Sequence, residues 1–196
     1  MADNGVNRGR RRFLVGATTV VGAVGAVGVA VPFVASWQPS ARARAAGAPV
    51  RADISLLEPG QRITVEWRGR PVWVISRTEE MIERTENSDP ERFSDPDSER
   101  PQQPAYITGP LRSSRPEIGV LIGICTHLGC SPLYRPEPDA VDMDDWPGGF
   151  FCPCHGSYFD LAGRVFRNVP APTNLEVPPY RFEGDEIIVG EDEETT

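Results

Sequence analysis

Every cysteine of this 196-residue chain, Cys125, Cys130, Cys152 and Cys154, and both of its histidines, His127 and His155, lie in two stretches of six residues. These are "CTHLGC" at 125–130 and "CPCHGS" at 152–157. A fold that uses these groups together must bring two separate loops to one place. Three chemistries suit clustered thiols and imidazoles. Structural zinc pairs its ligands as C-x2-C or H-x3-H, whereas the spacings here are C-x-H-x2-C and C-x-C-H. Two disulfides suit an exported protein, but they leave unexplained why each histidine sits beside a cysteine. An iron–sulfur cluster with mixed thiolate and imidazole ligands uses both residue types.

The segments around the boxes read as strands. "QRITVEW" and "RPVWVIS", separated by "RGR", predict a hairpin. "IGVLIGIC" predicts a buried strand that delivers Cys125 into a loop, and "GGFFCPC" does the same for Cys152. "YRFEGDEIIVG" predicts a second hairpin turning at Gly184-Asp185. Residues 77–105 interrupt this pattern. A short helix is expected from Thr78, with acidic residues in its first turn. The polar, proline-rich remainder is expected to be a surface loop. There is no internal repeat beyond the two boxes.

At the N-terminus, residues 13–35 hold no charged side chain over 23 positions. As a helix they span roughly 34 Å, enough to cross the hydrocarbon core of a bilayer. Arg8, Arg10, Arg11 and Arg12 precede them and predict that residues 1–12 stay cytoplasmic, with the body on the other side. Gly22, Gly25 and Gly28 recur every third residue, which permits close packing between membrane helices. "RRRFL" resembles the twin-arginine export signal at Arg10, Arg11, Phe13 and Leu14, with Gly9 and Val15 departing from its usual flanks. Residues 36–50, small and Ala/Pro-rich, read as a tether between anchor and body.

The chain carries a net −8; its first 50 residues carry +5, so residues 51–196 carry −13. A body that acidic is unsuited to binding nucleic acid, which needs a basic face. The tail "EDEETT" is expected to be disordered.

"CTHLGC…CPCHGS" resembles the paired boxes of the Rieske iron–sulfur proteins, whose centre is a 2Fe–2S cluster with two histidines on one iron. The likeness extends to the anchor, the tether, "LEPG", the acidic insertion and "PAPTNLEVPP". It implies a mainly β fold of stacked antiparallel sheets with a cluster-binding subdomain, residues 51–196, on a single N-terminal transmembrane helix. It implies that Cys125 and Cys152 ligate one iron, that His127 and His155 ligate the other, and that Cys130 and Cys154 form a disulfide. By the same resemblance, Ser157 donates its hydroxyl to a bridging sulfide, and Leu128 flanks an exposed histidine. Gly129 and Gly156 let backbone approach the sulfurs or adopt positive φ. Pro170, in "VPAP", belongs to a segment that shields the cluster; relatives often begin it with Gly where this chain has Val169. Many relatives carry a tyrosine two residues after the serine, where this chain has Phe159. Tyr158 is a poor substitute, because neighbours in an extended chain point to opposite sides.

The resemblance further implies a subunit of a bacterial cytochrome bc complex in the inner membrane, with a periplasmic head. The partners implied are the cytochrome b and c-type cytochrome subunits, ubiquinol and the lipid membrane, in a dimeric complex. His155 would bond the quinol and accept its proton, and the head would then swing to the cytochrome. Two relatives have other functions. The small subunit of arsenite oxidase shares the export signal and a related disulfide, but the long anchor and the insertion favour the bc complex. The Rieske ferredoxins of ring dioxygenases are soluble and lack counterparts of Cys130 and Cys154. A zinc-stabilised assembly domain is the reading without redox chemistry.

Overall fold

The structure, a computed structural model, describes residue 5 and residues 7–192. It divides into two compact units at the junction between Ala45 and residue 46.

The first unit is built on helix α1, Arg8–Ser36, of 29 residues. Asn7 caps it by accepting a hydrogen bond from the Arg10 amide, which serves one of the amides that a helix start leaves unpaired. The charged first turn therefore continues into the apolar run as one helix. It is long and apolar enough to cross a membrane. Its two threonines return their hydroxyls to Leu14 O and Val15 O, so neither needs water in an apolar surround. The tether is not wholly extended: Ala41–Ala46 form a short helix, α2. Ser40 caps it through the Ala43 amide, and alanine is the best helix former.

Among the described residues, the second unit holds nine strands in three antiparallel sheets of three. β2 (Arg62–Trp67), β3 (Arg70–Ser76) and β4 (Ile118–Ile122) form the first. The expected hairpin joins β2 to β3 through Arg68 and Gly69, at φ +53° and +72°. Two successive positive φ values give the turn whose twist matches paired strands. β5 (Leu133–Arg135), β6 (Gly149–Cys152) and β7 (Ser157–Asp160) form the second sheet. The third is ordered β1-β9-β8, from Val50–Asp53, Glu186–Val189 and Tyr180–Glu183, with the expected turn at Gly184-Asp185. The main core runs continuously through the inner faces, from Val72, Val74, Val120 and Ile187 to Phe150 and Phe159.

Helix α3 (Glu79–Glu86) starts where expected, with the Thr78 hydroxyl accepting from the Met81 amide. The rest of the insertion is not only a surface loop. Phe93 is fully buried and packs with Trp146 and Phe166 in a satellite core, and Asp95 is buried as well. Single apolar residues in a proline-rich stretch show no periodicity, so the sequence does not announce their burial. The expected tail disorder fails at its first residue, because Glu191 receives a hydrogen bond from Arg181 Nε at 2.8 Å. Residues 193–196 of that tail lie outside the described residues.

Candidate metal centre

Both boxes are built alike. Each cysteine that opens a box accepts a hydrogen bond four residues on: Gly129 N–H to Cys125 O and Gly156 N–H to Cys152 O, both at 3.0 Å. The two glycines adopt φ +83° and +72°. A Cβ at either would meet nothing within 4 Å, so glycine is required there for its backbone conformation, not for space. β4 leads into the first loop, and the Cys125 amide closes it by donating to Cys130 O at 2.7 Å. The second loop is the turn of the β6–β7 hairpin, with Cys152 paired to Ser157 at its base.

Cys130 and Cys154 are disulfide-bonded and clamp the loop tips together. Cys125 and Cys152 remain free thiols, each only 2% exposed. Their side chains are hydrogen-bonded to one another. Burial pushes the Cys152 thiol up, and Cys125 pushes the same way, while the Cys154 and His155 amides donate to its sulfur and pull it down. Those two amides favour a thiolate at Cys152. The sulfur atoms of Cys130, Cys152 and Cys154 lie within 4.8 Å of one another. Two of these three are spent in the disulfide, so the trio is no ligand set. Its closeness shows that the disulfide packs against the Cys152 sulfur.

His127 and His155 meet edge to face, with ring centroids 4.7 Å apart. His127 is half-buried, and His155 is exposed. Two soft, buried thiols and two facing imidazoles from two clamped loops are the donor set that a mixed-ligand iron–sulfur cluster needs.

Ser157 is 1% exposed, and its Oγ accepts from the Ala171 amide at 3.0 Å. Its own proton is thereby free to donate elsewhere. Pro170, one residue earlier, is exposed on the covering segment. Leu128 is 71% exposed, an apolar tip beside the histidines. Phe159 lies two residues beyond Ser157 on the buried face of β7, whereas Tyr158 turns into the satellite core beside Trp146. The alternation that argued against Tyr158 as a substitute therefore holds.

Several site features are invisible in the boxes alone. The Thr126 hydroxyl donates to Thr173 O at 2.7 Å and ties the first loop to the covering segment. Beneath lie the buried side chains Arg77, Arg112, Arg164 and Asp160. Arg164 Nε meets Asp160 Oδ2 at 2.6 Å. Arginines on flanks of apolar runs in an acidic body were the available signal.

Comparison with known proteins adds the following. Residues 1–40 match the family profile described as "Ubiquitinol-cytochrome C reductase Fe-S subunit TAT signal", and residues 102–180 match "Rieske [2Fe-2S] domain". The ubiquinol-cytochrome c reductase iron-sulfur subunit of Allochromatium vinosum is 62% identical over 194 residues, 98% of this chain and 93% of that protein. The subunit of the same name from Rhodospirillum rubrum is 43% identical over 183 residues, 92% of this chain and 90% of the other. The Saccharomyces cerevisiae cytochrome b-c1 complex subunit Rieske, mitochondrial, is 35% identical over 192 residues, 96% and 79% of the two chains. Among solved structures, a chain of "Hyperthermophilic respiratory Complex III" covers 87% of this chain and 96% of its own length at 27% identity and a TM-score of 0.49.

Proposed function

The chain belongs to the family of Rieske iron–sulfur subunits of ubiquinol–cytochrome c reductase, and on that premise we propose how its residues serve the oxidoreductase. It carries a Rieske [2Fe–2S] domain as the electron-carrying subunit of that complex. Cys125 and Cys152 hold one iron, and His127 and His155 hold the other. A cluster so held supplies a one-electron carrier whose potential two neutral imidazoles raise.

The observation that carries this reading is a division of exposure. Both free cysteines are 2% exposed, while His155 and Leu128 are both exposed. The sulfur side is insulated, and the imidazole side can be touched. His155 would keep a second ring nitrogen, which, in the form that has given up its own proton, would accept a hydrogen bond from a quinol hydroxyl and then hold that proton. Leu128 supplies apolar contact to the quinol pocket of a cytochrome b subunit. Ser157 directs its free proton at the cluster, a second-layer bond that favours the more negative, reduced state.

The electron then passes to a c-type cytochrome. Two docking positions for one head require a tether, which residues 36–50 supply between anchor and head. The arginine cluster keeps residues 1–12 in the cytoplasm. α1 crosses the bacterial inner membrane, and the head works in the periplasm of a dimeric complex. Export of folded protein by the twin-arginine route allows the cluster to be inserted first.

A reduced-minus-oxidised optical spectrum of the complex isolated in mild detergent tests this. Bands of both b- and c-type haem are expected, with iron and labile sulfide in the chain itself. Molybdenum without b-type haem would overturn the quinol mechanism.

A further inference from the structure

We propose that Arg112 is a positioning residue for the metal centre, acting through the segment that covers it. The inference rests on the reading of residues 125–130 and 152–157 as that centre.

Arg112 is 1% exposed, and each of its three guanidinium nitrogens donates a hydrogen bond. Nε donates to Gln103 Oε1 at 2.7 Å, Nη1 to Ala162 O at 2.9 Å and Nη2 to Leu175 O at 2.9 Å. Two of the three acceptors are backbone carbonyls, and none is a carboxylate. A charge buried without a touching counter-ion is costly, so the site retains it for what the fork holds. Its backbone is also unusual, with φ +49°, a conformation that a non-glycine residue keeps only when its surroundings impose it. Arg77 imposes it from both sides, donating to Leu111 O and to Ser113 Oγ.

What the fork holds is the far end of the covering segment. Leu175 also donates its amide to Gly163 O at 2.8 Å. Both polar groups of this peptide residue are therefore fixed to the turn after β7. Arg77 and Arg112 take consecutive carbonyls of that turn, Leu161 O and Ala162 O. Thr173, two residues before Leu175 and at most about 7 Å away along the chain, accepts from Thr126. Ala171, two residues further back, donates to Ser157. Between them the buried Asn174 is held too, accepting from the Val165 amide and Gln102 Nε2 and donating to Asp95 O and Ser98 Oγ, so residues 171–175 run from the metal loops to a buried anchorage of which the Arg112 guanidinium is one member. Freeing the Arg112 end loosens the Ala171–Ser157 bond, so Ser157 no longer points its proton at a fixed place.

The test is Arg112→Lys in the intact membrane complex. Lysine keeps the charge, but a compact ammonium cannot span Ala162 O and Leu175 O as the planar fork does. Deuterium uptake over residues 169–177 is expected to accelerate at least tenfold, with uptake over β3 and β4 unchanged. The midpoint of the centre, followed by EPR titration, is expected to fall. Unchanged uptake, or faster uptake with an unmoved midpoint, overturns the proposal. If Arg112→Lys does not assemble, Gln103→Glu keeps an oxygen acceptor for Arg112 Nε while Gln103→Leu removes it, and both remove the donor to Ile107 O, so their difference isolates the fork. Relative to Gln103→Glu, Gln103→Leu must shift both readouts the same way to a smaller extent, and no difference overturns the proposal. Iron and labile sulfide in the unsubstituted complex test the metal reading separately.

Discussion

The Trp73 ring stacks on Phe150 at 4.8 Å between centroids and 20° between planes. Trp73 belongs to β3 and Phe150 to β6, two residues before Cys152, so this stack joins two sheets directly beneath the metal loops. Arg62 covers the other region of the indole at 4.5 Å. The contact depends on Gly123, where a Cβ would lie 2.2 Å from Trp73 Cε2. Gly123→Ala is therefore expected to push the indole off Phe150 and to destabilise the head by about 1–3 kcal/mol, the usual cost of overpacking a core. Urea denaturation of the head in the purified protein would measure it; an unchanged midpoint concentration refutes the role given to the stack.

Asp160 anchors the turn after β7. One oxygen accepts from the Ala162 and Arg164 amides, and the other accepts from Arg164 Nε. Asp160→Asn leaves the Arg164 charge buried without its partner, and breaking such a pair typically costs about 3–5 kcal/mol. Thermal unfolding should shift far more than for an exposed pair such as Arg51–Glu186, which water and salt screen.

Phe159→Tyr places a hydroxyl on the same buried face of β7 as Ser157. The hydroxyl adds a donor to a ligand sulfur and favours the reduced, more negative state. The midpoint of the centre in an EPR titration should rise. A midpoint equal to that of the unsubstituted protein would remove Phe159 from the residues that set the potential.

Tyr134 donates its hydroxyl to Gly60 O at 3.1 Å. Burial first, then Glu137, pushes its pKa up to about 12. A folded pKa above the unfolded value of about 10 gives stability that is complete below pH 10 and is lost as pH rises through about 12. Burial pushes Arg77 and Arg112 down to about 10, a shift of the opposite sign that both proteins share. Tyr134 itself opposes the Arg77 shift, so the comparison with Tyr134→Phe reads the tyrosine together with that one coupling. The stability advantage of the unsubstituted head over that variant should be constant below pH 10 and should shrink between pH 10 and 12, measured by urea unfolding at each pH.

The centre was legible because its six reactive side chains are adjacent in sequence, and the loop closure that unites them is written in the glycines at 129 and 156. The β2–β3 and β8–β9 hairpins were legible from apolar runs bounded by turn residues, and α3 was legible from Thr78 and the acids after it. What escaped reading depends on distant partners. β1 and β5, of four and three residues, are too short to show alternation. Thr126, Arg77 and Arg112 act through bonds to carbonyls 34 to 84 residues away. A carbonyl has no side-chain signature, so nothing in the sequence marks which ones will be held.

β1 follows the tether and pairs with β9, Val50 opposite Val189, so the head's first strand is laced to its last. Drag transmitted along the anchor enters the head at Val50 and is shared at once with β9 and, through it, β8. The metal loops hang from the other two sheets and lie off this load path. A pull on the first strand of the head is thus taken up first by β9 and β8, strands that carry none of Cys125, Cys152, His127 and His155.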